Sequence, residues 1–347
     1  MKKIRVIVID DSALIRKMLK EVFDATEDIE VVAVANDPII ARDKIKQLNP
    51  DVLTLDVEMP KMDGLQFLSN LMRLRPMPVV MVSTLTEKGA PETFEALEMG
   101  AVDYICKPQA KSEDEFLQFA RALCDKVRIA ARAKVQPVDS RRKSASRVIT
   151  REKIENYRRI VAIGSSTGGT EAIADVLAGL PVNCPPIVIT QHIPEVFSAS
   201  LAKRLNNRYP MEVLEAADNM EVCTGRVIIA QGGKHLRFVK RGDKLFTMID
   251  DGPKQNLHKP SVEVMFESLA QTVGGRHLVA AMLTGMGADG ASAMKALHDA
   301  GAITLAQDEA TCVVYGMPKA AWELGAVDQL MPLRGIAEEL VKSARKA

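Results

Sequence analysis

Five short apolar runs punctuate the first third of the chain: Ile4–Ile9, Val31–Ala35, Asp51–Leu55, Pro78–Val82 and Val102–Ile105. Each is nearly continuous in Leu and β-branched residues, the pattern of strands buried on both faces of a parallel sheet. Helix-period segments separate them. Asp37-Pro38 supplies an N-cap and an N1 proline, and Gly100 sits where a helix is closed. Strand and helix repeated five times predict a doubly wound α/β domain over 1–125. The strand signal then lapses and resumes at Arg159–Ile163, followed by a helix from Thr170 with Ile173, Val176 and Leu177 on one face. Ile187–Thr190 and Leu278–Leu283 are further buried-type strands. His235–Lys240 and Lys244–Ile249, joined through Arg241-Gly242-Asp243, read as a β-hairpin. A second doubly wound, mostly parallel α/β domain is therefore expected over 155–347, with 126–154 as a linker.

Composition narrows the class. A chain of 347 residues fits two domains. Its 46 basic and 45 acidic side chains create no net field toward nucleic acid or anionic lipid. No apolar run approaches the roughly 20 residues of a membrane span, and Asp10-Asp11 breaks the first one, which excludes a signal peptide. The five cysteines, Cys106, Cys124, Cys184, Cys223 and Cys312, are scattered without C-x-x-C spacing. That argues against disulfides or structural zinc and for a reducing cytoplasm. Between Lys126 and Arg159 twelve basic residues face Asp139, Glu152 and Glu155. The stretch lacks interleaved aromatics and any nucleic-acid-binding signature, so it reads as a solvated linker suited to an acidic surface.

In doubly wound sheets chemistry gathers at the carboxyl ends of the strands. In the first domain those ends carry Asp10-Asp11, Asp56, Ser83-Thr84 and Lys107-Pro108. Converging carboxylates need a divalent cation among them, and hard oxygen ligands that leave room for water suit Mg²⁺. Asp10, Asp11 and Asp56, with the Glu58 carbonyl, are its candidate ligands. Ser83 and Lys107 are placed to hold the oxygens of a phosphoryl group arriving on a carboxylate. These residues, with the loop Met59-Pro60-x-Met62-Asp63-Gly64, resemble the receiver domain of two-component response regulators, which has the flavodoxin-like (βα)5 fold. The resemblance implies that Asp56 accepts a phosphoryl group from a histidine kinase. It also implies that Tyr104 repositions when the domain switches.

In the second domain a strand runs into Gly164-Ser165-Ser166-Thr167-Gly168-Gly169 and then a helix. Such a turn can cradle a phosphate on helix N–H groups or present a serine at a nucleophile elbow. The Rossmann and P-loop spacings are absent. Two later strand ends deliver Gln191-His192 and Thr284-Gly285-Met286-Gly287-Ala288-Asp289-Gly290. A serine hydroxyl needs a histidine to take its proton and an acid to fix that histidine. Ser166, His192 and Asp289 supply all three, with Ser165 as an alternative nucleophile and the Met286 N–H as an oxyanion donor. Each also has a plainer reading: His192 as a rim histidine, Asp289 as the cap of the helix at Gly290. The order Ser…His…Asp differs from the Ser…Asp…His of α/β-hydrolases.

The segments Gly164–Gly169, Gln191-His192-Ile193-Pro194, Ile229-Ala230-x-Gly232, His258-Lys259-Pro260-Ser261, Leu283–Gly290 and Val314-Tyr315-Gly316-Met317-Pro318 resemble the chemotaxis protein-glutamate methylesterases, the CheB family. The resemblance implies hydrolysis of glutamyl methyl esters, and deamidation of glutamines, on methyl-accepting chemoreceptors. It assigns Ser166, His192 and Asp289 to the triad and Thr167 to positioning His192. It implies no cofactor at the esterase site, a cytoplasmic monomer, a chemotaxis kinase as phosphodonor, and an unphosphorylated receiver that packs over the cleft. Ser165 stands where the family usually has alanine, and Gln231 where it has proline.

Overall fold

A computed structural model describes residues 2–59, 63–83, 90–108, 112–133, 135 and 157–345. The chain divides into two compact units, 1–145 and 146–347. Most of the basic linker, and Pro60–Met62 and Thr84, lie outside the described residues.

The first unit alternates β1 (Ile4–Ile9), α1 (Ala13–Asp24), β2 (Ile29–Ala35), α2 (Pro38–Leu48), β3 (Val52–Asp56), α3 (Gly64–Leu74), β4 (Val79–Ser83), α4 (Ala90–Glu98), β5 (Asp103–Cys106) and α5 (Glu113–Ala130). The five strands are parallel in the order β2-β1-β3-β4-β5. Strands β3 and β4 are buried along their whole length, which explains their unbroken apolar runs. The order of strands changes direction between β1 and β3, so Asp10 and Asp56 emerge at the switch point where such sheets bind ligands. Local capping agrees: Asp37 accepts from the Ile39 and Ile40 N–H groups at α2, and Ser112 accepts from Glu115 at α5. Helix α5 continues to Ala130, burying Val127 and Ala130. Lys126 pairs with Asp103 at 2.8 Å, and Arg128 grips both oxygens of Asp28 at 2.7 and 2.9 Å. The start of the basic stretch thus continues the last helix of the first unit.

The second unit contains β6 (Ile160–Ser165), α6 (Gly169–Ala178), β7 (Ile187–Gln191), α7 (Glu195–Arg208), β8 (Glu212–Glu215), β9 (Arg226–Ile229), β10 (His235–Arg241) and β11 (Lys244–Asp250). It continues with α8 (Val262–Val273), β12 (Leu278–Met282), α9 (Ala291–Asp299), β13 (Ile303–Gln307), α10 (Met317–Glu323), β14 (Gln329–Met331) and α11 (Leu333–Arg345). Seven parallel strands run β14-β13-β12-β6-β7-β9-β8, and the β10–β11 hairpin forms its own antiparallel sheet. One face of the large sheet packs on α8, where Met265, Phe266 and Leu269 meet Leu236 and Phe238 of the hairpin. The sheet reverses between β6 and β12. Ser166 leaves one of these central strands, and the Met286–Asp289 loop leaves the other.

Candidate active site and phosphoryl pocket

In the first unit Lys107 Nζ lies 2.7 Å from Asp56 Oδ2 and 2.9 Å from Asp10 Oδ2. Asp10, Asp11 and Asp56 bring carboxylate oxygens within 4.8 Å of one another. Asp10 and Asp56 are buried while Asp11 is exposed. A cavity of about 510 Å³ is lined by Asp11, Asp56, Glu58, Asp63, Glu92 and Lys107. Burial pushes Asp56 up to about 6; the Lys107 hydrogen bond opposes that shift, and the neighbouring Asp10 charge adds to it. Burial works against the Lys107 ammonium, but the two carboxylates raise it above its ordinary value. Ser83 is buried at the end of β4 and accepts a hydrogen bond from Thr93 at 3.2 Å. Tyr104 is buried in β5 with Lys126 Nζ 5.9 Å from its ring centroid, and burial pushes its hydroxyl well above the usual range. One lysine among three carboxylates leaves excess negative charge, and hard oxygen donors around an open cavity fit a divalent cation of the Mg²⁺ kind.

In the second unit β12, β6 and β7 lie side by side in register, Met282 opposite Gly164 and Ser165 opposite Gln191. Their carboxyl ends therefore deliver the Asp289 loop, Ser166 and His192 to one rim. The Ser166 N–H donates to the Thr284 carbonyl at 3.0 Å and the His192 N–H to the Ser165 carbonyl at 3.1 Å. His192 Nε2 lies 2.8 Å from Asp289 Oδ2. Among the described residues neither His192 Nδ1 nor Ser166 Oγ has a hydrogen-bond partner. Ser166 is half-buried, whereas Ser165, the alternative nucleophile, is fully buried and donates to Gln191 Oε1 at 2.7 Å.

Asp289 does not cap α9. Gly290 occupies that N-cap with φ +85° and makes no side-chain cap bond. The carboxylate turns instead to α8, where Oδ2 accepts the Val262 N–H at 2.7 Å and Oδ1 accepts Ser261 Oγ at 2.7 Å. Asn256 Nδ2 adds a third donor at 3.0 Å, and His192 completes the set. Burial alone would raise Asp289; the His192 hydrogen bond and charge, with Asn256 and Ser261, overcome it and hold the group at about 2. A carboxylate so held stays ionised and favours the imidazole tautomer with Nε2–H toward it, which leaves the buried Nδ1 with its lone pair.

Asn256 and Ser261 were not singled out as site residues by the sequence. Ser261 carries the signal of an N-cap, and it does cap α8, accepting from Val264 at 3.5 Å. Asn256 carries no signal, because it reaches Asp289 from an exposed turn in the left-handed region, φ +51°. His258, from the His258-Lys259-Pro260-Ser261 segment, stacks on His192 with centroids 3.6 Å apart and planes 7° from parallel. Thr167 is buried, and its carbonyl accepts from Thr284 Oγ1 at 3.0 Å. Gly285 packs on the serine: a Cβ there would fall 2.8 Å from the Ser166 Cβ and 2.5 Å from Met317 Sδ. The next residue, Met286, is exposed, and its N–H has no partner among the described residues.

Fold and site define a class: a receiver joined to an α/β unit that carries serine, histidine and aspartate at the switch point of a parallel sheet. The response regulator receiver domain model matches residues 6–117, and the CheB methylesterase model matches 161–340. The protein-glutamate methylesterase/protein-glutamine glutaminase of Pectobacterium atrosepticum is 48% identical over 98% of this chain and 97% of its own. The protein of the same name from Salmonella typhimurium is 47% identical with the same coverage. The solved CheB methylesterase catalytic domain of Thermotoga maritima is 39% identical, with TM-score 0.52, over 53% of this chain and 97% of that one. The chain belongs to the CheB methylesterase family, and it is a receiver-controlled carboxylic-ester hydrolase.

Proposed function

We propose that this enzyme demethylates glutamyl methyl esters on methyl-accepting chemoreceptors, and deamidates receptor glutamines, through Ser166, His192 and Asp289. The observation that carries the assignment is the 2.8 Å contact of His192 with a buried carboxylate held by three further donors. The Ser166 hydroxyl gives its proton to His192 Nδ1 as Oγ bonds to the ester carbonyl carbon. The carbonyl oxygen becomes an oxyanion that accepts the Met286 N–H. Collapse breaks the bond to the methoxy oxygen, which takes the proton from the imidazolium and leaves as methanol. Water then gives a proton to the same nitrogen and attacks the acyl carbon, releasing the glutamate carboxyl and restoring Ser166. With a glutamine substrate the leaving group is ammonia. Thr167, on the turn beside Ser166, helps position His192.

Control runs through the first unit. An Asp56 oxygen attacks the phosphorus of a phosphohistidine on a chemotaxis kinase; the N–P bond breaks and an acyl phosphate forms. Asp10, Asp11, Asp56 and the Glu58 carbonyl would hold Mg²⁺, which supplies charge neutralisation for the phosphoryl oxygens. Lys107 and Ser83 bind those oxygens, and Tyr104 repositions as the domain switches. Relief of inhibition by this step accounts for the joining of receiver to esterase. The enzyme acts in the cytoplasm as a monomer.

Methanol release from methylated receptor membranes tests the reading. Ser166→Ala should abolish it, and a wild-type rate in that variant would overturn the assignment. With Asp56→Asn, basal release should persist while stimulation by a small-molecule phosphodonor is lost.

A further inference from the structure

Gln191 is 4% exposed, and both N–H groups and the oxygen of its amide are hydrogen-bonded. Its Nε2 donates to the Ser166 carbonyl at 2.9 Å and to the His192 carbonyl at 3.1 Å. Its Oε1 accepts the hydroxyl of Ser165, which is fully buried, at 2.7 Å. A Cβ on Gly169 would come within 2.1 Å of that Oε1, so the first residue of α6 leaves the amide just enough room. The sheet explains why this residue can do it. Gln191 ends β7 beside Ser165 of β6, and a side chain at that register spans from one strand end to the turn after the other. The opposite flank repeats the device: Gln307 ends β13, and its Oε1 accepts the Thr284 N–H at 2.8 Å.

We infer that Gln191 is a positioning residue of the hydrolase, a clamp that fixes the nucleophile turn against the base by bonding both backbone carbonyls at once, with Ser165 fixing the clamp. The inference rests on Ser166 and His192 being nucleophile and base. Neither carbonyl belongs to a regular ladder. Ser166 O receives one other bond, from the Gly169 N–H at 2.7 Å. The His192 N–H to the Ser165 carbonyl is a further backbone bond between the two turns. Displacement of reacting groups by about 1 Å costs about 10²-fold in rate.

The test uses the full chain with a phosphodonor and compares wild type, Ser166→Ala, Gln191→Met and Ser165→Ala. Methionine matches the length of glutamine and cannot donate to either carbonyl. Gln191→Met should lower kcat about 10²-fold while KM stays within about twofold. Covalent labelling of Ser166 by a fluorophosphonate should slow by the same factor, while the melting temperature falls by several degrees from the lost buried bonds. Ser165→Ala keeps both donors and loosens the amide, so a loss of about 3–10-fold is expected, the worth of one hydrogen bond. Gln191→Met with wild-type kcat and labelling rate would overturn the inference. Should that variant fail to fold, Ser165→Ala decides, and wild-type kcat and labelling there would overturn it. If wild type releases no methanol, the substrate assignment has failed, and the labelling rates still decide the role of Gln191.

Discussion

Each unit of this protein buries a carboxylate, Asp56 or Asp289, at the switch point of a parallel sheet, and the two are driven in opposite directions. Asp56 is pushed up to about 6, and Asp289 is held at about 2. Burial raises both, so burial is not what separates them. Asp56 shares a single ammonium with Asp10, whose charge repels it. Asp289 monopolises four donors: an imidazole, an amide, a hydroxyl and a helix N-terminal N–H. The first arrangement stores unsatisfied negative charge that a cation and a phosphoryl transfer would discharge. The second arrangement is already satisfied, and it serves to hold an imidazole still. In the proposed mechanism the same fold principle serves as a switch in one unit and as a fixed catalytic support in the other.

The largest expected effect follows from breaking the fixed site. Asp289→Asn keeps the shape but offers an amide where an ionised carboxylate orients His192, so kcat should fall about 10⁴-fold; a loss under about tenfold would show that the acid is dispensable. A change at the switch should act on stability instead, and in the opposite sense. Without divalent cations at pH 7, Asp56→Asn should stabilise the first unit by about 1–3 kcal/mol, because an ill-paired buried charge is removed. Denaturant titration reads this directly, and destabilisation would mean that Asp56 is better paired than its neighbours suggest. The pH dependence of the fixed site has a definite sign. The folded-state pKa of Asp289 is depressed, so its stabilisation is present above about pH 4 and lost as pH falls toward about 2, some 2 kcal/mol in all. Asp289→Asn should flatten that part of the acid unfolding curve of the second unit, and an unchanged slope would contradict it. The smallest effect separates the two polar donors. Ser261→Ala, which removes a buried hydroxyl, should cost about 1 kcal/mol more stability than Asn256→Ala, whose partner turn is open to water.

What could be read from the sequence tracks how local each signal is. Strand runs were placed to within one or two residues. Asp51–Leu55 was expected where β3 is Val52–Asp56, and Pro78–Val82 where β4 is Val79–Ser83. Asp56 and Ser83 fall inside their strands because each still pairs across the sheet, with Val82 and Cys106. Ser166, His192 and Asp289 were visible because strand ends of a parallel sheet converge by topology. Their supports were not. Asn256 lies 33 positions from Asp289 on an exposed turn, and nothing in its neighbourhood marks it. Ser261 is an ordinary helix cap, accepting from the Val264 N–H, while its hydroxyl proton goes to the acid. Gln191 stood beside His192 in a recognised motif, yet its clamp depends on the β6–β7 register, which no local pattern encodes. The plainer reading of Asp289 as a cap was half right in kind: it serves a helix N-terminus, that of α8 rather than α9.

The central claim is that one unit's phosphorylation governs acyl transfer at the other's Ser166. Methanol release from methylated receptor membranes, measured with Mg²⁺ and with or without a small-molecule phosphodonor, tests it most directly. Release should rise with the phosphodonor in wild type, stay at the basal rate in Asp56→Asn, and vanish in Ser166→Ala. Equal release by wild type and Ser166→Ala, or equal stimulation of wild type and Asp56→Asn, would contradict it.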